Sequence, residues 1–389
     1  MIIFKKGYLL LLSLLFFLPL SFFLSKLGDL QKNKDGIDQL NFFNFRNLKS
    51  GIAQKKFDDW LASNFIFRAK ILDMEALLSF KIFGEVFNFN GRSDQVVIGK
   101  NQQLYEKTYI NRLNGVSDLK KDLPMSAPNS DDECAEKLGV AAKIFKSYGI
   151  KFMLIFYPHK AWIEPEFIPK KWLLNGGRER AAKAYNKLLI TLKKNDVPVF
   201  DGAEFFLKLK QNHPEILLYS PGSTHWTGIA ACHAMNRILE KLSLQGDETL
   251  PPLLCSETQR EVGDSDIARL LGLAVESYFY QNIRELKVTA PELPIGSPLK
   301  LFLNRTSFAG QLEFLLRTTD YAYVSTETQY YRRKNNVLQI DWNKDILSND
   351  IILFDQPQAS HITVNVIEFI EDLENNSTAY QKRKKELQL

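Results

Sequence analysis

Short apolar runs alternate with amphipathic stretches along most of the chain. The apolar runs have the length of buried strands and end at proline, acidic or turn residues: 150–158, 197–201, 299–303 and 350–354. The amphipathic stretches have apolar residues at helical spacing: 134–148, 178–194, 202–211, 227–243, 266–274 and 308–316. Strands that alternate with helices form a mainly parallel sheet covered on both faces. The pattern therefore predicts an α/β fold, with ligand sites beyond the carboxyl ends of the strands.

A longer apolar run lies close to the N-terminus. Lys5 and Lys6 precede the run 8–24, which has the length that a helix needs to cross a bilayer. No A-x-A cleavage pattern follows, which favours an uncleaved signal anchor over a cleaved signal peptide. The positive-inside rule places the two lysines in the cytoplasm. We therefore expect a single-pass protein of the bacterial inner membrane whose domain lies in the periplasm.

The polar and apolar pattern also predicts how the chain is divided. The predicted segments are a transmembrane signal anchor at 1–27, a linker at 28–55, one domain at 56–375 and a polar tail at 376–389. The domain is expected to begin with helical spacing over 56–86 and a short strand at 95–99. A loop is predicted at 115–133, which is rich in Ser, Pro, Asn and Asp.

Charge and cysteine content narrow the classes of function. The 50 basic and 45 acidic residues are interspersed, and no basic block with interleaved aromatics suggests a nucleic-acid groove. The three cysteines, Cys134, Cys232 and Cys255, have no zinc-site spacing, and an oxidising periplasm would let two of them pair. We therefore expect no nucleic-acid partner, no metal and no cofactor.

Two serines are candidates for a nucleophile. Ser265 ends a Gly263-Asp264-Ser265 triplet of the kind that opens esterase nucleophile blocks, but the residues before it form no strand. It is therefore interpreted as the N-cap of the next helix. Ser307 follows the predicted strand 299–303 and precedes an amphipathic helix, whose first backbone N–H groups can bind a developing oxyanion. Capping of that helix is the alternative role for Ser307.

A serine nucleophile needs a base, and the chain has five histidines. His225 lies in the turn-rich segment 219–228 before a helix, and Trp226 beside it can exclude water and fix the imidazole by packing. The other four lie in a polar loop, in a helical stretch or after strands: His213, His233, His159 and His361. Taken alone, a histidine near a helix start is more often structural than catalytic.

The segment around His225 resembles the D-x-H-W segment of the alginate O-acetyltransferase family (the AlgJ and AlgX proteins), whose SGNH-hydrolase-like domains have an Asp-His-Ser triad. Further segments resemble that family in the same order over 56–360: 64–68, 97–100, 158–160, 266–273 and 306–308. The resemblance implies that Ser307 is the nucleophile and His225 the base. Trp226, Lys160 and Arg305 would then bind substrate or support the site.

Two places depart from the family pattern. Ser223 stands where the family has its triad aspartate, and Asn304-Arg305 replaces the usual glycine before the nucleophile. A serine can hydrogen-bond an imidazole, but it supplies no charge to stabilise the imidazolium. Three alternatives follow. Asp201 or Asp355, at strand ends, supplies the acid; the serine and histidine work as a slow dyad; or the site has lost its chemistry.

The resemblance implies a periplasmic O-acetyltransferase that acts on an exopolysaccharide through an acylated serine. Its acetyl donor partner would be a multi-spanning membrane acyltransferase. An acetylesterase uses the same machinery with water as the acceptor, so both activities stay open. The alternative from another class is a catalytically impaired, membrane-anchored adaptor or glycan-binding protein in a polysaccharide O-acetylation complex, which Ser223 favours.

Overall fold

The computed structural model describes residues 68–84, 86, 95–116, 131–261, 265–273, 284–291, 298–329, 340–359 and 361–389. The predicted signal anchor and linker lie outside these ranges. Within them, no helix combines the length and the apolar character that a membrane span requires. The chain divides into two compact units, Met1–Leu72 and Asp73–Leu389, and the second contains the central sheet and the candidate site.

A parallel sheet forms the centre of the second unit. The described ranges contain nine strands: β1 Val96–Ile98, β2 Leu104–Glu106, β3 Lys151–Tyr157, β4 Val199–Asp201, β5 Leu254–Glu261, β6 Arg284–Thr289, β7 Leu299–Arg305, β8 Ala322–Gln329 and β9 Ile351–Pro357. Five of them pair in parallel in the order β4-β3-β9-β7-β8, with Leu154 opposite Val199 and Leu303 opposite Leu353. Every residue of β3 and β9 is buried, as expected of strands covered on both faces. The predicted mainly parallel α/β fold is confirmed.

Helices flank this sheet. Those in the described ranges are α1 Arg68–Phe83, α2 Lys107–Leu113, α3 Asp131–Ser147, α4 Lys160–Ile163, α5 Gly177–Lys194, α6 Gly202–Asn212, α7 Gly228–Ser243, α8 Asp266–Leu270, α9 Ala309–Thr318, α10 Val364–Asn376 and α11 Thr378–Glu386. The helix α3 begins inside the stretch predicted as a loop, because the acidic residues of its first turn suit the positive end of the helix dipole. The helix α8 ends earlier than predicted, since Gly272 follows it at φ 74° and terminates the turn.

Several elements lack the apolar runs on which the sequence predictions rest. The strand β8 lies at the edge of the sheet, and the hairpin of β5 and β6 is a separate two-stranded sheet; both contain many polar residues. The predicted polar tail forms the helix α11, whose Tyr380 is buried and whose Arg383 donates to the hydroxyl of Ser147 on α3 at 2.9 Å. The tail is therefore packed against the domain.

A second, smaller hydrophobic core lies apart from the core around the sheet. Its buried members come from α1, β2 and the α8 segment: Ala76, Phe80, Leu104, Ile267, Ala268, Leu271 and Leu273. Residues of β1 pack against it. This small core fixes the position of α8, which contributes a residue to the candidate site.

A disulfide joins Cys232 on α7 to Cys255 on β5, and Cys134 is a buried free cysteine. The bond ties the β5–β6 hairpin to the helix that follows the His225 loop.

Candidate active site

Ser307 lies in the turn between β7 and α9, at the carboxyl edge of the parallel sheet. Asp355 on the neighbouring strand β9 holds this turn, because its two oxygens accept hydrogen bonds from the backbone N and the Oγ1 of Thr306 at 2.5 and 2.7 Å. Burial raises the pKa of Asp355 to about 6, against the lowering effect of the hydrogen bonds from Thr306 and the Ala309 amide. Asp355 therefore fixes the conformation of the turn that contains Ser307.

The backbone amides that follow Ser307 are engaged inside the turn. The amide of Phe308 donates to Thr306 Oγ1 at 3.3 Å, that of Ala309 donates to Asp355, and that of Gly310 donates to the carbonyl of Ser307 at 3.3 Å. We expected the first amides of this helix to bind an oxyanion. At these three residues that expectation is not met, because each amide already has an internal acceptor.

His225 lies on a loop whose ends meet in an antiparallel bridge between Tyr219 and Trp226. Three elements hold the carbonyl oxygens of this loop. The ammonium of Lys160 on α4 bonds those of Ser220 and Pro221 at 2.7 and 2.9 Å, the amide of Leu104 on β2 bonds that of Pro221 at 2.8 Å, and the amide of Ala268 on α8 bonds that of Gly222 at 3.0 Å. Hydrogen bonds from three elements therefore fix the loop that contains His225.

The imidazole of His225 lies between a hydroxyl and a carboxylate. Its Nε2 is 3.0 Å from Ser307 Oγ, and its Nδ1 is 2.9 Å from Asp266 Oδ2. Both His225 and Ser307 are partly exposed to solvent. A serine, a histidine and an aspartate in this order of contacts form the arrangement used for acyl transfer through a serine.

Asp266 is the first residue of α8, and backbone amides hold its carboxylate in place. Its Oδ1 accepts hydrogen bonds from the amides of Thr224 and Ile267 at 2.8 and 2.9 Å. Burial by itself raises the pKa of Asp266, but the hydrogen bond and charge of His225 outweigh it, with help from Thr224 and Ser223. The pKa is therefore lowered, which keeps Asp266 ionised beside the imidazole.

The two acids that sequence analysis proposed for this role are engaged elsewhere, and the expectation is corrected. Asp201 caps the helix α6, where its Oδ1 accepts bonds from the amides of Ala203 and Glu204 at 3.0 and 3.2 Å and from the hydroxyl of Tyr185 at 2.8 Å. Asp355 bonds to Thr306 in the turn that contains Ser307. The carboxylate in contact with His225 is that of Asp266. Sequence analysis placed this residue at the start of a predicted helix and of a segment that resembles the family, but gave it no role in the site.

The two other serines have structural positions. Ser223 Oγ accepts a hydrogen bond from the amide of His225 at 3.1 Å and also bonds to Asp266, so it supports the pair without supplying charge. Ser265 is the N-cap residue of α8 by position, yet its hydroxyl is buried and makes no cap hydrogen bond. Ser265 lies directly before the short helix α8, as expected. The expectation that the residues before the Gly263-Asp264-Ser265 triplet form no strand is wrong, because β5 extends to Glu261.

The three residues proposed to bind substrate or support the site make contacts within the domain. Trp226 is buried and stacks on Phe206 with 5.4 Å between ring centroids. Arg305 forms an ion pair with Glu313 on α9 at 3.2 Å. Lys160 is buried under the loop, and burial lowers its pKa.

One acidic residue near the site has no counterpart in the sequence predictions. Glu106, the last residue of β2, is half-buried and hydrogen-bonds the side chain of Thr224, next to His225. No group of three or more His, Cys, Asp or Glu side chains suited to a metal ion occurs in the part of the chain that the structure describes.

Fold and site together define an α/β protein with Ser307, His225 and Asp266 in contact at the carboxyl edge of its sheet. Among solved structures, the chain is similar to the O-acetyltransferase domain of Pseudomonas putida AlgJ, with 16% identity and a TM-score of 0.47 over 72% of this chain and 99% of that one. It is also similar to Pseudomonas aeruginosa AlgX, with 17% identity and a TM-score of 0.47 over 72% of this chain and 67% of that one.

A third similar structure is that of Bacillus cereus PatB1 with a sulfonyl adduct, with 13% identity and a TM-score of 0.37 over 61% of this chain and 92% of that one. AlgJ and AlgX are the proteins whose family the sequence segments resemble. No family model and no curated protein matches the sequence.

Proposed function

We propose that the chain is an SGNH-type O-acyltransferase or acyl esterase in which Ser307 is the nucleophile, His225 the general base and Asp266 the acid that orients the base. The proposal rests on one observation: the imidazole of His225 contacts Ser307 Oγ at 3.0 Å with one nitrogen and Asp266 Oδ2 at 2.9 Å with the other. A neutral imidazole that donates from Nδ1 to Asp266 has its Nε2 lone pair directed at the serine hydroxyl.

The reaction then follows from this geometry. Ser307 Oγ attacks the carbonyl carbon of the donor ester, and its proton passes to His225 Nε2. Collapse of the tetrahedral intermediate leaves the acyl group on Ser307, while the leaving alcohol takes the proton from His225. In the second half, His225 removes the proton of an acceptor hydroxyl, whose oxygen attacks the acyl-serine and restores the Ser307 hydroxyl. Asp266 stabilises the imidazolium in both halves.

The sequence resemblance supports a sugar hydroxyl of an exopolysaccharide as the acceptor and acetyl as the acyl group. A multi-spanning membrane acyltransferase that delivers the acetyl group would be the partner. The apolar run 8–24 supports attachment to the inner membrane, and the disulfide between Cys232 and Cys255 supports an oxidising compartment such as the periplasm. Water in place of the sugar would make the same site an esterase.

The adaptor alternative depends on the serine at position 223, which leaves the usual place of the acid without charge. Asp266 supplies a carboxylate to His225 from another segment, so this observation no longer favours a site without chemistry. The adaptor alternative becomes one outcome of the activity test.

The test is hydrolysis of p-nitrophenyl acetate by the full-length chain in detergent. We expect Ser307→Ala and His225→Ala to abolish the enzymatic rate and Asp266→Asn to lower kcat by roughly 10²- to 10⁴-fold, because the imidazole loses both its orientation and its counter-charge. Ser265→Ala is the matched control, since this serine lies next to Asp266 but contacts neither reacting group. Equal slow rates in wild type and all variants would contradict the catalytic proposal and favour the adaptor.

A further inference from the structure

The carboxylate of Glu106, which is not part of the proposed triad, faces the loop that contains His225. Glu106 is the N-cap residue of α2, yet its side chain makes no cap hydrogen bond to that helix. It hydrogen-bonds the side chain of Thr224 instead. An acidic residue at a helix N-terminus ordinarily stabilises its own helix, so a local role does not explain why this carboxylate is turned toward the loop.

Thr224 connects this carboxylate to the triad. Its hydroxyl bonds to Glu106, and its amide donates to Asp266 Oδ1 at 2.8 Å. The other oxygen of Asp266 contacts His225 Nδ1 at 2.9 Å, and His225 Nε2 contacts Ser307 Oγ at 3.0 Å. Contacts therefore run from Glu106 to the nucleophile without a break.

Charged groups on α2, on the His225 loop and on α8 act on Glu106. Arg112 on α2 and the imidazole of His225 favour its ionised form, and Asp266 on α8 disfavours it. The ammonium of Lys160 on α4 lies beneath the same loop and interacts electrostatically with Asp266. The charges of both Glu106 and Asp266 therefore act on the imidazole of His225, and each carboxylate also interacts with a cation, Arg112 or Lys160.

We propose that Glu106 is a positioning residue, which holds Asp266 through Thr224 and adds a second negative charge that stabilises the protonated His225. This inference rests on the proposed function of the site. The site then has two acidic residues: Asp266 contacts the base directly, and Glu106 is connected to Asp266 through Thr224.

The negative charge of Glu106 determines the direction in which the titration of His225 should shift. A negative Glu106 favours imidazolium over imidazole, so it raises the pH at which His225 loses its proton. Burial raises the pKa of Glu106, and the charge of Asp266 adds to this, against the lowering effects of Thr224, His225 and Arg112. As the pH falls through that raised pKa, the second charge disappears and its support of the imidazolium is lost.

The experiment uses the full-length chain in detergent and two readouts. The first is the pH profile of kcat/KM for p-nitrophenyl acetate. The second is the carbon NMR titration of the His225 ring, assigned by the loss of its signal in His225→Gln. Glu106→Gln keeps an oxygen that can accept from Thr224 but removes the charge. Glu204→Gln is the matched control, because Glu204 is an exposed glutamate in the first turn of α6, paired with Lys208.

We expect Glu106→Gln to move both the acidic limb of the rate profile and the midpoint of the His225 titration to lower pH by at least about half a unit. Thr224→Val should lower kcat at the pH optimum, Thr224→Ser should retain it, and Glu204→Gln should leave both curves unchanged. A rate that falls equally at all pH values, with an unmoved midpoint, would overturn the proposal and leave Glu106 a structural residue.

The experiment distinguishes failure of the proposed function from failure of the proposed role of Glu106. If wild type shows no rate that depends on Ser307, the proposed function is wrong, while the NMR titration still decides whether Glu106 acts on His225. If wild type is active and the Glu106→Gln midpoint matches that of wild type, only the role of Glu106 is wrong. Should Glu106→Gln fail to fold, kcat at the pH optimum decides: a lower kcat in Thr224→Val than in Thr224→Ser supports positioning of Asp266 through Thr224, and equal kcat in the two variants would overturn it.

Discussion

His225 receives its two supporting groups from separate parts of the chain. Ser223, two residues before it, accepts a hydrogen bond from its amide, while Asp266 reaches its Nδ1 from the start of α8. The side chains of Ser223 and Asp266 also hydrogen-bond each other. Position 223, where the family pattern has its aspartate, is therefore next to Asp266 in the structure. The negative charge should therefore be transferable between the two positions.

Moving the carboxylate from position 266 to position 223 tests whether the charge can be transferred. We expect Asp266→Ser to lower kcat/KM for p-nitrophenyl acetate by roughly 10²- to 10⁴-fold, since the imidazolium loses its counter-charge. Adding Ser223→Asp to that variant should recover at least about tenfold, because the side chain at position 223 adjoins that at position 266 and would return a negative charge near the imidazole. Wild-type activity in Asp266→Ser, or loss of the remaining activity in the double variant, would contradict the assignment of the acid.

A single residue, Asp355, should make the free energy of unfolding depend on pH. Its pKa is raised to about 6 in the folded protein, above its ordinary value of 3.8, so the folded state keeps a proton that the unfolded state has lost. The stability that it contributes is present below pH 4 and falls as the pH rises to 6, by about 3 kcal/mol.

Asp355→Asn is the variant that isolates this effect. An amide does not titrate, so the loss of unfolding free energy caused by the variant should shrink as the pH rises from 4 to 6. Urea unfolding of both proteins across that range measures it. A destabilisation that stays constant with pH would show that Asp355 has an ordinary pKa.

At the scale of elements, the short helix α8 depends on packing for its position. It has only five residues, and isolated helices of that length are unstable in water. Ile267 and Ala268 are buried in the small core with Phe80 of α1 and Leu104 of β2. The same β2 segment contributes Glu106, so one small core positions both acids of the site.

We expect Ile267→Ala to weaken this core and displace Asp266. The substitution should cost about 2 to 5 kcal/mol locally and lower kcat/KM by at least about tenfold, while the main core stays folded. Leu373→Ala is the control, because it makes a comparable cavity in the main core on α10. Both variants are compared by thermal unfolding and by activity well below their Tm. Equal activity in the two variants would mean that the small core does not position the acid.

At the scale of the whole molecule, the disulfide between Cys232 and Cys255 closes a loop over a sequence separation of 23 residues. In the chain-entropy view such a loop contributes about 3 kcal/mol. We expect a Cys232→Ser, Cys255→Ser double variant to lose roughly that much unfolding free energy. Alkylation of the unreduced, denatured protein should label Cys134 alone, and labelling of all three cysteines would contradict the pairing.

The sheet and most of its helices could be predicted because their periodicities are local. An apolar run such as 150–158 indicates a buried strand, whereas the edge strand β8 and the hairpin of β5 and β6 contain many polar residues and show no such run. Ser307 and His225 could be proposed from their turns and from the family resemblance. Asp266 could not, because it reaches Thr224, 42 residues earlier in the chain, only through the packing of α8.

Trapping of the acyl-enzyme tests the central claim most directly. The full-length chain is mixed with p-nitrophenyl acetate, quenched in acid and mapped by peptide mass spectrometry. We predict one acetyl group on Ser307 in wild type, slower formation of the same adduct in Asp266→Asn, and none in Ser307→Ala. An acetyl group on Ser265, or no serine adduct in wild type, would contradict the account.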